Sequence, residues 1–312
     1  MARATYAAGV RGSPTISRRT ALMLAIAAAS GACSGQHQVA TRPPPASPEP
    51  SEAPTTATPS TSATPSAAAT APALPSVAPW RPGAGELEPA AKEAAVRRIE
   101  ALGDDANHRV EIIDAQYGGL LASTASVLVV CRSLARRAGR VVAGGHTYDV
   151  RLVLRGGRWR VTEIHPSRPG RPTSDPSAAA RHVLASPRIA LPPAARADVA
   201  SGTVHDTVLE AMLTVSRRWP IGVSVVRTGH PTYVFGTVRP SDHPLGRAFD
   251  TWRIADHAIV RPSTPPGLIT AYMEALAGAG SYNVGGPILL GSAPQYFSDR
   301  THHDHVHAGF TA

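Results

Sequence analysis

Apolar positions divide the 312-residue chain into patterned and unpatterned stretches. Leu87, Ala91, Ala94, Ala95, Val96, Ile99 and Leu102 recur at helical spacing between Glu86 and Leu102, and Gly103 follows as a stop. Ser126–Ser133 and His146–Arg155 read as strands. Gly156-Gly157 turns the second of these tightly into a third, Arg158–Ile164. Further on, Val204, Val208, Met212 and Val215 share one face of a helix from Val204 to Arg218, widened by Leu209 and Leu213, with Thr203 as its N-cap. Val223–Val226 is an apolar strand. Gly246–Trp252 alternates, so that Gly246, Ala248, Asp250 and Trp252 fall on one face. Pro265–Leu276 predicts a second amphipathic helix, Gly285-Gly286-Pro287 a turn, and Asp304–Phe310 a last strand with His305 and His307 on one side. The helix and strands between residues 86 and 165 read as a small α+β domain.

Two stretches carry no such pattern. Residues 34–85 are mostly Pro, Ser, Thr and Ala and cannot bury enough apolar surface to offset their ordering entropy; they are expected to form a disordered stalk. Residues 166–180, PSRPGRPTSDPSAAA, read as a second linker. Ahead of the stalk, Ser17-Arg18-Arg19-Thr20-Ala21-Leu22 resembles a twin-arginine export motif, and the apolar stretch Ala21–Ala29 is too short to span a bilayer. Ser30-Gly31-Ala32-Cys33 resembles a lipobox, which implies lipidation of Cys33. The expected organisation is a signal peptide over 1–33, a linker over 34–85, a small α+β accessory domain over 86–165, a linker over 166–180 and a last domain over 181–312. An exported chain anchored by lipid to the outer face of the cytoplasmic membrane, facing the cell wall, follows from that order.

Composition agrees with this division. The 30 prolines and 27 glycines are too many for compact domains alone. Four arginines (Arg3, Arg11, Arg18 and Arg19) of the formal +9 lie before Cys33, where no acid occurs, leaving 27 basic and 22 acidic residues, or +5. A modestly basic surface suits an anionic wall. Nucleic acid is not an expected partner, because no basic stripe is interleaved with aromatics. Lys92 is the only lysine, a skew that reads as codon bias. The two cysteines, Cys33 and Cys131, sit in unlike contexts, and Cys131 inside SVLVVC reads as a buried thiol.

The chemistry concentrates in two clusters, Ser241-Asp242-His243-Pro244-Leu245-Gly246-Arg247-Ala248-Phe249-Asp250 and Thr301-His302-His303-Asp304-His305-Val306-His307. A turn at Pro244 and Gly246 can fold the His243 imidazole back toward the Asp250 carboxylate. In the second cluster one histidine can ligate a metal while its neighbour reaches a bound water. Two neutral imidazoles and one carboxylate are the usual three-ligand set of a catalytic zinc site with its fourth position open.

SDHPLGRAFD is similar to the Ser-x-His-x-x-Gly-x-Ala-x-Asp signature of zinc D-Ala-D-Ala carboxypeptidases and related peptidoglycan endopeptidases. Ser241, His243, Gly246, Ala248 and Asp250 fill all five fixed positions, and His305-Val306-His307 matches the family's late His-x-His. The resemblance covers about the last third of the chain. It implies a Hedgehog/DD-peptidase fold with an antiparallel sheet, one zinc per chain on His243, Asp250 and His307, and His305 as the catalytic histidine. Other members carry an acidic residue three places before the last ligand, where this chain has Asp304, so the general base is either His305 or Asp304. An Arg leaving the upstream strand implies Arg227 at the substrate or oxyanion, with Arg239 as the other choice, and Ser241 as a substrate contact or a turn former. His302 and His303 are not expected as ligands, and His205, His230 and His257 lack a motif partner. Separately, TYDVRLVLRGGRWRVTEIHP resembles the terminal hairpin of secreted cystatin-like or NTF2-like domains and implies an accessory or spacer role.

The expected activity is that of a zinc metallopeptidase: a hydrolase of amide bonds in cell-wall stem peptides, acting as a carboxypeptidase or an endopeptidase. Two other readings of the same residues are a metal-containing binding module without turnover, for wall peptides or a partner protein, and a zinc-sequestering lipoprotein that depends on His302 and His303.

Overall fold

The computed structural model describes residues 73–312 apart from 104, 261 and 263. The expected signal peptide, Cys33 and most of the stalk lie outside the described residues.

The first layer is one helix on a five-stranded antiparallel sheet. Helix α1 (Pro89–Glu100) starts with proline, whose fixed φ suits the first helical position, and buries Ala91, Ala95, Val96 and Ile99. Small residues on that face let it approach the sheet, where Tyr117, Val127, Val129, Val150, Leu152 and Trp159 complete the core. Trp80, inside the expected stalk, packs against this core. The strands are β1 (His108–Leu120), β2 (Thr124–Arg137), β3 (Arg140–Gly144), β4 (Thr147–Arg155) and β5 (Arg158–Pro166). Their order is β1-β2-β4-β5, with β3 pairing β2. Gly156 and Gly157 take φ of 57° and 71°, the left-handed pair that a two-residue hairpin requires.

Chain order continues with α2 (Ala178–Ala185), β6 (Ile189–Ala190), α3 (Pro193–Ala200), α4 (Asp206–Ser216), β7 (Ile221–Val223), β8 (Ala248–Ile254), β9 (His257–Ala258), α5 (Pro266–Gly278), β10 (Asn283–Gly285), β11 (Tyr296–Phe297), a 3-10 turn over Thr301–His303 and β12 (Val306–Gly309). The second sheet has order β11-β10-β12-β8-β7-β6, with β9 pairing β8. Its pairing is antiparallel except at the two edges, where β6–β7 and β10–β11 run parallel. Helices α2 to α5 bury Val183, Val199, Met212, Val215, Tyr272 and Leu276 in one core with Phe249, Val306 and Ala308 of the sheet.

Several local expectations are corrected. Helix α2 begins at Ala178, inside the expected second linker, because the Ser177 side chain caps it by accepting from the Ala180 N–H at 3.1 Å. The residue before α4 is His205, not Thr203; the Thr203 hydroxyl pairs with that of Ser201 at 2.7 Å. Gly285 belongs to β10, opposite His307, rather than to a turn. Asp304 precedes its strand, with φ −111° and ψ −3°, and β12 starts only at Val306.

Both layers belong to one compact unit. The face of β2 turned away from α1 buries Leu128 and Val130 against Val225, so the first sheet is covered on both sides. Gly119 lies so close to Phe235 that a Cβ there would sit 2.1 Å from the ring. The end of β1 also reaches the 3-10 turn, where the Leu120 N–H donates to Thr301 Oγ1 at 3.1 Å.

Candidate metal centre

The site grows from the ladder between β8 and β12. Asp250 and His307 are directly opposite in its register, and their side chains leave the sheet on the face away from the helical core, because Phe249, Val306 and Ala308 occupy the other face. His243 arrives from the turn before β8. The Asp242 carbonyl accepts from the N–H groups of Leu245 and Arg247, and Gly246 N–H closes on the His243 carbonyl at 2.8 Å. Gly246 sits at φ 72°, and a Cβ there would stand 2.2 Å from the Thr203 carbonyl oxygen, so the turn admits only glycine without a shift.

Three ligand-type atoms converge. His243 Nε2 lies 3.1 Å from Asp250 Oδ1 and 3.2 Å from His307 Nδ1, and the last two are 3.0 Å apart. All three side chains are buried. A tetrahedral zinc with bonds of about 2.0–2.1 Å holds its ligand atoms about 3.3 Å apart, close to this triangle. His243 Nδ1 is 2.8 Å from the Val226 carbonyl, an acceptor, so it carries a proton, and the tautomer that ligates through Nε2 has its lone pair there. That lone pair points at a carboxylate and another imidazole, an arrangement that a cation in the triangle satisfies at once.

Charge states agree with that chemistry. Burial pushes His307 down to about 4, which keeps it neutral and able to ligate. Burial alone would raise the Asp250 carboxyl, but the adjoining His243, His305 and His307 rings hold it well below the usual carboxylate range. His230 stacks on His243 with centroids 4.2 Å apart, and burial keeps it neutral too. His230, His243 and Asp250 also offer ligand atoms within 4.8 Å of one another.

The two remaining residues of the second cluster divide their roles. His305 lines the cleft, its Nδ1 2.6 Å from Asp304 Oδ1 and its Nε2 3.9 Å from Asp250 Oδ2. Asp304 does not line the cleft. Its Oδ2 lies 2.6 Å from Lys92 Nζ and accepts from the Tyr117 N–H at 3.0 Å. Burial would raise Asp304, but the Lys92 charge and the His305 hydrogen bond hold it below the carboxylate range.

The cleft has a volume of about 520 Å³. One wall is the Tyr117–Leu121 stretch of the first layer; the other carries Phe235, Arg239, Ser241, Phe297 and Arg300, with His305 and His307 between the walls. Arg227 does not line the cleft. The chain there turns inward, its N–H and that of Thr228 donating to the buried Asp198 carboxylate at 3.2 and 2.8 Å. Arg239 and Arg300 are the cleft's arginines among the described residues. Ser241 Oγ is 3.3 Å from His230 Nδ1 and also lines the cleft, so it is both turn former and wall. His302 lines the cleft with its Nδ1 2.8 Å from Asp299, whereas His303 faces the first layer. His205 sits at the start of α4 and His257 in β9.

Residues of the first layer also reach the site. Gln116 Nε2 donates to Asp250 Oδ2 at 2.6 Å, and Ser224 Oγ donates to Gln116 Oε1. The signal for Lys92 is legible afterwards: it falls on the apolar stripe of α1 with Ala95, Val96 and Ile99, where a charge has to find a buried partner. No comparable signal marks Gln116. No protein-family model, curated protein or solved structure matches this chain, and what the site does has to be derived from its own residues.

Proposed function

We propose that this chain is a zinc metallopeptidase of the cell envelope that hydrolyses an amide bond in peptidoglycan stem peptides, removing a terminal D-Ala or opening a cross-link. The observation that carries the proposal is the buried triangle of His243 Nε2, Asp250 Oδ1 and His307 Nδ1, with a fourth group, His305, turned into the same cleft. The signature resemblance adds the substrate class and a Hedgehog/DD-peptidase fold for the second layer; a cystatin-like or NTF2-like ancestry for the first layer rests on its hairpin alone. An export leader with lipidation at Cys33 would place the site at the wall.

Zinc would be held by His243, Asp250 and His307, and when bound it supplies a Lewis acid for the scissile carbonyl and a water with a pKa near 7. The chain's own groups do the rest. Asp304 Oδ1 accepts the Nδ1–H of His305, which leaves His305 Nε2 as the basic nitrogen facing the cleft. That nitrogen takes the proton of the attacking water as the C–O bond forms. It returns the proton to the amide nitrogen as the C–N bond breaks. Asp304 is a poor base in comparison, because both its oxygens already accept from buried donors. Arg239 and Arg300 supply positive charge for a substrate carboxylate or the developing oxyanion.

The test is digestion of purified peptidoglycan, with released amines and fragments followed by mass spectrometry. Wild type is expected to release one class of stem-peptide product, and His305→Ala to fall by about 10²–10⁴-fold while remaining folded. Equal, background-level release by both proteins, with metal bound, would leave a binding module without turnover.

A further inference from the structure

Outside the triangle, a second cluster of buried charge lies where α1 meets the 3-10 turn. Lys92 is fully buried; its ammonium touches Glu86 and lies 2.6 Å from Asp304. Glu86, His303 and Asp304 by themselves offer atoms within 4.8 Å of one another, as a cation site would. The cation is already there: it is the Lys92 ammonium. The only lysine in the chain therefore occupies a position where desolvating a charge is tolerated only with paired partners.

The contacts do not stop at Asp304. Its Oδ1 is the acceptor that fixes His305 Nδ1, at 2.6 Å. Three groups hold this carboxylate: the Lys92 ammonium as an ion pair, and the Tyr117 N–H and His305 Nδ1–H as donors. The first two come from α1 and β1. Asp304 sits in a bend outside any strand ladder, so these side-chain contacts, rather than sheet pairing, fix its orientation. A pair that only fastened the layers together could lie anywhere along their seam; this one ends on the carboxylate whose other oxygen orients the cleft's imidazole.

We propose that Lys92 is a positioning residue: with the Tyr117 N–H it fixes Asp304, Asp304 aligns His305, and the first layer is thereby a working part of the catalytic site rather than a spacer. Its role in hydrolysis rests on the peptidase reading, whereas the linkage from Lys92 to His305 stands on the contacts alone.

The test uses the full chain and a soluble muropeptide digest. Folded Lys92→Met is expected to lose about ten- to a hundredfold in kcat, with KM within about twofold and zinc content unchanged. Glu86→Gln removes the other carboxylate on Lys92 but leaves the pair with Asp304, and it is expected to keep kcat. Wild-type kcat in folded Lys92→Met, or equal losses in both variants that track the folded fraction, would overturn the proposal. Should Lys92→Met fail to fold, the lone lysine decides. Labelled with ¹⁵N at Nζ, the chain gives a single ammonium signal, which His305→Ala is expected to shift. A signal that His305→Ala leaves unmoved would overturn the linkage. A shifted signal in a wild-type chain that neither binds zinc nor hydrolyses muropeptides would overturn the catalytic role and trace the fault to the peptidase reading.

Discussion

Gln116 of the first layer donates to the Asp250 Oδ2 atom at 2.6 Å, and both side chains are buried. The bond occupies the carboxylate oxygen that His243 and His307 do not share, so Asp250 turns Oδ1 to those two rings. Ser224 anchors the other end of the amide, which settles which way it points. A residue from β1 therefore sets the orientation of the Asp250 carboxylate on β8.

Replacing Gln116 by Leu keeps the volume and removes that bond. Asp250 Oδ2 and Ser224 Oγ then lose a buried partner. The expected loss of stability is about 1–3 kcal/mol, read from urea unfolding. Zinc affinity is expected to fall about 10–100-fold in competition with a chromophoric chelator. Unchanged affinity would show that the first layer does not tune the centre.

Asp114 gives a pH dependence of opposite sign to the usual carboxylate. Burial pushes it up to about 7, against the opposing pull of Lys92. A carboxyl whose folded pKa exceeds its unfolded value binds its proton more tightly in the folded state. Its contribution is therefore complete below pH about 4 and is lost as pH rises toward about 7. Asp114→Asn removes that loss. The stability of Asp114→Asn relative to wild type is expected to grow between pH 5 and pH 8, measured by urea unfolding at both, and to change little above pH 8.

The arginines of the cleft separate from the one in the motif's neighbourhood. Arg239→Ala is expected to raise KM for muropeptides about tenfold or more, the worth of one charge-assisted hydrogen bond. Arg227→Ala, outside the cleft, is expected to leave KM unchanged. The reverse order would return the oxyanion role to Arg227.

Much of the second layer was legible because its signals are local. The alternation of Ala248–Ile254, the apolar stripe of α4 and the spacing of His243 to Asp250 each follow from a few adjacent residues. Strand β1 was not. Its second half, Ala115–Leu120, is buried on both faces, so the alternation that reveals a half-exposed strand is missing. Register shifts after Ile112 and Tyr117 break its period further. The seam between the layers was illegible for a different reason. Lys92 and Asp304 are 212 positions apart, and nothing in either neighbourhood names the other. The polar contacts of Gln116, Tyr117 and Lys92 with the second layer therefore have no counterpart in any local pattern.

The most direct measurement is zinc per chain, by elemental analysis after dialysis, for wild type, His307→Ala and His305→Ala. The expected result is one zinc, none, and one, respectively, because His307 supplies a ligand atom and His305 only faces the cleft. Folded wild-type protein that takes up no zinc when it is supplied would contradict the account.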